Sequence, residues 1–152
     1  MRSKFAVALA AFAASAVVGA TSPSKPAVAG AATYTVALTG SAEVARSPGW
    51  TGDMDGSGQV RLTVDLASRE ICYDFTLSKL ATPLMAHIHR GPELGTGPSV
   101  VTLFTGPGGE LTDCVMWTEK WLAEIVANPS NFYVNLSTTE YLDGAARGQL
   151  EG

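Results

Sequence analysis

Strict alternation of apolar and polar residues is the feature that most constrains what this chain can fold into. Apolar side chains take every second position in four segments, at residues 34–38, 60–66, 71–77 and 132–136. Successive side chains of a β-strand point to opposite faces, so a period of two predicts half-buried strands with one face on a core. A more continuous apolar run at residues 100–104 predicts a further strand.

The spacing of these segments predicts an all-β fold. Turns rich in glycine and proline separate the short strands, as is typical of an antiparallel β-sandwich or barrel. Residues 67–69 join two alternating segments and predict a hairpin. One segment departs from the pattern, because residues 118–128 carry an apolar stripe at helical spacing and end before Pro129. We predict one short helix there, which closes an end of the sandwich or, alternatively, offers a surface to a partner.

The first 29 residues have the features of a secretory signal peptide. Arg2 and Lys4 precede an uncharged, alanine-rich run at residues 5–18, and small residues allow cleavage after Ala20 or Ala29. The run is shorter than the roughly 20 apolar residues of a membrane span. We therefore predict a protein that is secreted or periplasmic, with one mature domain at residues 30–152 and no membrane span after cleavage.

The charge of the mature chain restricts its partners. Cleavage after Ala29 leaves seven basic and 14 acidic residues, a net charge of −7. An acidic surface argues against nucleic acid and anionic membranes as partners. The partner we expect is an extracytoplasmic protein or matrix component, which the sequence does not identify.

Two cysteines, Cys72 and Cys114, remain in the mature chain. In an exported protein, a single pair of cysteines predicts a disulfide. The alternative is a pair of free thiols or of metal ligands.

Both histidines of the chain lie in the segment Met85-Ala86-His87-Ile88-His89. Alternation places Ala86 and Ile88 on the core, so both imidazoles belong on the outer face of the strand. There they would contact solvent, a covering loop or a ligand.

Two neighbouring imidazoles also suggest a metal site, since imidazole is a good ligand for copper and zinc. Zinc sites use three or four protein ligands, and the chain has no third histidine. A further ligand would have to be a thiol, Met85 or one of four carboxylates, Glu93, Asp113, Glu140 and Asp143. A structural role for the pair is therefore favoured over a metal site.

Signatures of catalysis are absent from the sequence. There is no G-x-S-x-G elbow, no glycine-rich phosphate loop and no cysteine beside a plausible base. The acidic run that begins at Asp53 fails as a calcium loop, because Val64 occupies the position where an EF-hand needs glutamate. We predict a protein that is not an enzyme.

The order of the motifs resembles a known family. YTVALTGSAE at residues 34–43 is followed by a Gly-Ser-Gly turn, Cys72-Tyr73, the A-H-I-H segment, YVN at residues 133–135 and a terminal R-G-Q-L. This series resembles the chordin-type domain, also called the CHRD domain, over nearly all of the mature chain. The most specific parts are the A-H-I-H segment and the terminal motif, which marks Arg147, Gly148 and Gln149 as family-motif residues.

The resemblance implies a Greek-key β-sandwich of immunoglobulin-like or superoxide-dismutase-like type. It also implies a non-enzymatic extracytoplasmic binding or structural module. The alternative function is a copper- or zinc-binding protein that uses His87 and His89, with redox chemistry by analogy to the dismutase fold alone. Members of the family commonly carry a histidine where this chain has Ser137, so a family metal site built on that histidine would be incomplete here.

Overall fold

A computed structural model describes residues 31–45 and 48–152 of the chain. Within these residues, eight strands and one α-helix follow one another, with short 3-10 turns at Gly40–Ala42 and Pro129–Asn131. In chain order the elements are β1 (Ala32–Thr39), β2 (Ser57–Asp65), β3 (Glu70–Ser78), β4 (Pro83–Arg90), β5 (Ser99–Thr105), β6 (Thr112–Met116), α1 (Glu119–Ala127), β7 (Phe132–Thr138) and β8 (Ala146–Gln149).

All strand pairs are antiparallel, and the strand order is β5-β4-β7-β8-β1-β2-β3-β6. Between β8 and β1 the described residues form a single ladder pair, Thr39 with Arg147, so the sheet divides there into two four-stranded halves. The chain crosses between the halves three times, after β3, after β5 and after β6. Trp117, which directly follows β6, donates its indole Nε1–H to the carbonyl oxygen of Val100 in β5 over 2.6 Å. This hydrogen bond joins the two edges of the strand order and nearly closes the sheet. The predicted all-β, antiparallel sandwich with one short helix is confirmed.

The core lies between the two halves and follows the predicted alternation. Buried apolar residues come from both halves and from α1, which contributes Leu122 and Ile125. One prediction of the alternation was wrong, because Leu66 lies beyond the end of β2 and is 37% exposed. There the carboxylate of Asp65 accepts the backbone N–H groups of Ala67 and Ser68, which turns the chain into the predicted hairpin.

Strand β7 departs from the half-buried pattern, since all seven of its residues are buried. Its inner face packs in the core, while its outer face lies beneath other parts of the chain. This second buried face contains the candidate functional site.

The predicted signal peptide lies outside the described residues. In the part of the chain that the structure describes, no helix has the length and apolar character needed to cross a membrane.

Candidate functional site

The histidine segment lies in β4, between β5 and β7. Ala86 and Ile88 are fully buried in the core, whereas His87 and His89 lie half-buried on the opposite face. The predicted placement of the two imidazoles is therefore confirmed. Of the three expected surroundings, the structure shows a covering loop against His89.

This covering loop comprises residues 91–98 and joins β4 to β5. It folds back onto the outer face, with the N–H of Gly91 donating to the carbonyl of Asn131 and the N–H of Gly95 to that of Pro92. A side chain at Gly97 would collide with the carbonyl of Arg90, so glycine allows the returning chain to approach β4 this closely.

Arg147, in β8, holds the centre of the covering loop. Its guanidinium donates through Nη1 to the carbonyl of Gly95 and through Nη2 to that of Pro92, each over 2.8 Å. The residue is only 2% exposed. A planar guanidinium presents several N–H donors in a fixed fork, which suits it to two acceptors at once.

Tyr133, in β7, is stacked between two side chains that hold the loop. The guanidinium of Arg147 lies 3.4 Å from the centre of its ring, and the imidazole of His89 stacks at 5.0 Å with a 10° interplanar angle. The tyrosine hydroxyl accepts the N–H of Gly97 over 3.2 Å. This three-layer stack joins β4, β7 and β8 beneath the loop.

His89 and Gln149 complete the attachment of the loop. The Nδ1 of His89 lies 2.9 Å from the carbonyl oxygen of Gly97, and since that oxygen can only accept, Nδ1 carries the proton. The amide Nε2 of Gln149 donates to the carbonyls of Gly91 and Ser130, at 3.0 and 2.7 Å. We call Arg147, Tyr133, His89 and Gln149 the loop clamp.

His87 lies beside the clamp in a different environment. Burial lowers the pKa of its imidazole below the ordinary value of 6.5, which favours the neutral ring. Its neighbour in β7, Asn135, is 6% exposed and donates its amide to both carboxylate oxygens of Glu43, at 3.0 and 3.1 Å. The outer face around His87 is thus built from polar groups that bond to one another.

The two imidazoles do not gather a ligand set. Their ring centres are 5.9 Å apart and nearly perpendicular, and Nδ1 of His89 is already occupied by the loop. Within residues 31–45 and 48–152, no third histidine, cysteine or carboxylate ligand atom joins them in a cluster that could hold a metal ion. The four carboxylates considered as further ligands are therefore not brought together with the pair. Ser137 is buried on the same outer face, opposite Met85.

The two cysteines lie on the other half of the sheet. Cys72 in β3 and Cys114 in β6 are directly opposite each other and are joined in a disulfide, as predicted.

Comparison with known families agrees with this architecture. The sequence model of the CHRD domain matches residues 34–150, most of the chain. The chain belongs to the CHRD domain family. No curated protein and no solved structure matches it. CHRD domains are non-catalytic modules that are typically extracellular, and a disulfide suits that setting.

Three residues of this CHRD domain have roles that sequence reasoning did not assign. Tyr133, Asn135 and Glu43 all occur in the motifs that carry the resemblance, yet their spacing gives no sign that they meet across the outer face. One sequence signal could have indicated the loop clamp. Arg147 and Gln149 are two polar residues on one strand face, and the chain also contains a glycine-rich loop at residues 91–98. Gly148, between them, is required because a side chain there would collide with the carbonyl of Ala37 in β1.

Proposed function

We propose that this CHRD domain is a non-enzymatic binding module that acts outside the cytoplasm and presents the covering loop to a protein or matrix partner. The observation that carries the proposal is the use of the polar motif residues. Arg147, Gln149 and His89 all bond to backbone carbonyls of the loop, so these groups serve its conformation.

The fixed loop exposes an apolar side chain at its tip. Leu94 is 88% exposed, next to the exposed carboxylate of Glu93. A loop that is ordered before binding loses less conformational entropy when it docks, and exposed apolar residues on such loops are common anchors for partners. The proposed partner surface has an apolar pocket with a basic rim.

Site-specific photocrosslinking tests this function. A photoreactive residue replaces Leu94 in the full chain, which is then exported by its own cell, and the matched control carries the same residue at Leu66, in the β2–β3 hairpin of the other half. We expect a discrete adduct from position 94 that is absent from position 66 and is lost when Arg147→Lys is added. The same adducts from both positions, or none from position 94, would reject the proposal.

The copper- or zinc-binding alternative through His87 and His89 is less well supported. The neutral character of His87 favours ligation, but the occupied Nδ1 of His89 and the lack of a third clustered ligand within the described residues oppose it. Titration of the oxidised protein with Cu(II) or Zn(II), repeated with His87→Ala and His89→Ala, separates the two functions. Micromolar or tighter binding that both substitutions abolish would favour the metal-binding alternative.

A further inference from the structure

A group of side chains with sulfur and carboxylate ligand atoms lies on the outer face of the β3–β6 pair, on the half of the sheet that does not contain the loop clamp. Glu70 and Cys72 alternate in β3, and Cys114 and Met116 alternate in β6. The register places Cys72 opposite Cys114 and Glu70 opposite Met116. Four side chains with one carboxylate and three sulfur atoms therefore stand at the corners of one small patch.

The ligand atoms of this patch are already close together. A carboxylate oxygen of Glu70 lies within 4.8 Å of both Sγ atoms of the disulfide, and all three residues are half-buried. In a tetrahedral zinc site with Zn–S bonds of about 2.3 Å, two sulfur ligands are about 3.8 Å apart. Because β3 and β6 hold Cys72 and Cys114 directly opposite each other, both sulfurs can reach one ion after reduction.

Met116 adds a thioether to the same edge of the sheet. Its side chain is 69% exposed, so its sulfur is open to an ion arriving from solvent. As β6 is the last strand in the sheet order, no further strand of the described sheet covers it. Thioether and thiolate sulfurs are soft ligands that select Cu(I) among the biological metals.

We propose that reduction of the Cys72–Cys114 disulfide converts this patch into a binding site for a thiophilic d10 metal ion, with Cu(I) the best match. A dithiol reductant supplies two electrons and two protons, so the S–S bond breaks, two thiols form and the reductant closes its own disulfide. Binding of the metal then releases the two thiol protons, because thiolates are the ligands. The thioether of Met116 completes the set of soft ligands, the Glu70 carboxylate lies beside it as a supporting charge, and the oxidised protein does not bind the ion.

A competition titration tests this site. The full exported chain is reduced, freed of reductant under anaerobic conditions and titrated with Cu(I) against a chromophoric Cu(I) chelator. We expect one ion per reduced chain and no binding by the oxidised chain. Met116→Leu and Glu70→Gln each weaken binding roughly tenfold or more, since even residues that only support metal ligands have effects of that size. The matched controls His87→Ala and His89→Ala leave the affinity unchanged.

Any one of four outcomes would overturn the site. One is equal Cu(I) binding before and after reduction. The second is an affinity that neither Met116→Leu nor Glu70→Gln changes, which would show an unassisted pair of thiols. The third is a reduced chain whose near-ultraviolet circular dichroism is lost and is not restored by Cu(I), because the patch would then not exist. Loss of binding in the histidine variants would assign the ion to the other face.

Discussion

Arg147 carries its positive charge into a buried position, where the guanidinium contacts two backbone carbonyls and the ring of Tyr133. A buried charge is costly unless its hydrogen bonds are satisfied. The loop supplies those acceptors, so the arginine and the loop depend on each other. The same relation gives the family-motif residue Arg147 a structural role.

Replacement of Arg147 tests this dependence. Lysine keeps the charge but cannot present a fork to both carbonyls, so Arg147→Lys should lower the free energy of unfolding by about 2–3 kcal/mol. Urea denaturation measures the change. The matched control is Arg61→Lys on the exposed face of β2, for which we expect a change within about 0.5 kcal/mol. If both substitutions changed the free energy of unfolding equally, the hydrogen bonds of Arg147 to the loop would make no specific contribution to stability.

His87 should make the stability depend on pH. Burial lowers its folded-state pKa below 6.5, so the unfolded chain binds more protons between the two pKa values. The stability is therefore complete above about pH 6.5 and falls as the pH drops from there toward the folded-state pKa. Urea midpoints at about pH 7.5 and about pH 5.5 should differ less in His87→Gln than in the wild type. An NMR titration that gives His87 a pKa of 6.5 or more would contradict this prediction.

At the scale of elements, alternation identifies strands that have one solvent-exposed face and misses those that do not. β1, β2 and β3 were predictable because they alternate cleanly against the core. β7 was predicted as half-buried and is buried throughout, since the covering loop and the Glu43 region that lie over it come from distant parts of the chain. β6, an edge strand with no fully buried residue, has no alternation to detect.

The contact between β8 and β1 gives a prediction at this scale. Gly148 lies against the backbone of Ala37, where the two halves of the sheet meet. Gly148→Ala should push the halves apart and destabilise the fold by about 1–3 kcal/mol or more. Thermal denaturation measures this effect, and Gly152→Ala at the exposed end of the chain is the matched control. A Gly148 variant as stable as the control would mean that the halves are not in close contact there.

At the scale of the whole molecule, the two outer faces differ in what they can do. One carries the loop clamp and the exposed tip of the loop, and the other carries the disulfide between β3 and β6. The family, the fold and the disulfide could be recognised from the sequence because each rests on order and spacing. The clamp could not, since it depends on which side chains a returning loop meets.

The disulfide should stabilise the domain without being essential to it. It joins residues that are 42 positions apart, and a disulfide that closes a loop of this size adds about 2–4 kcal/mol to the free energy of unfolding. Because domains are typically stable by about 5–15 kcal/mol, we expect the Cys72→Ala, Cys114→Ala double variant to fold with a lower urea midpoint. Reduction of the wild type should produce the same shift. A double variant that is unfolded in the absence of urea would contradict this expectation.

Amide hydrogen exchange of Gly97 tests the loop clamp most directly. Its N–H donates to the hydroxyl of Tyr133, and its carbonyl accepts from His89, so the residue reports on the attachment of the whole loop. We predict slow exchange of Gly97 in the wild type and much faster exchange in Arg147→Lys, with core amides such as that of Val60 unchanged under conditions where both proteins are folded. Exchange of the wild-type Gly97 amide at the rate of an unstructured glycine would contradict the clamp and the binding function built on it.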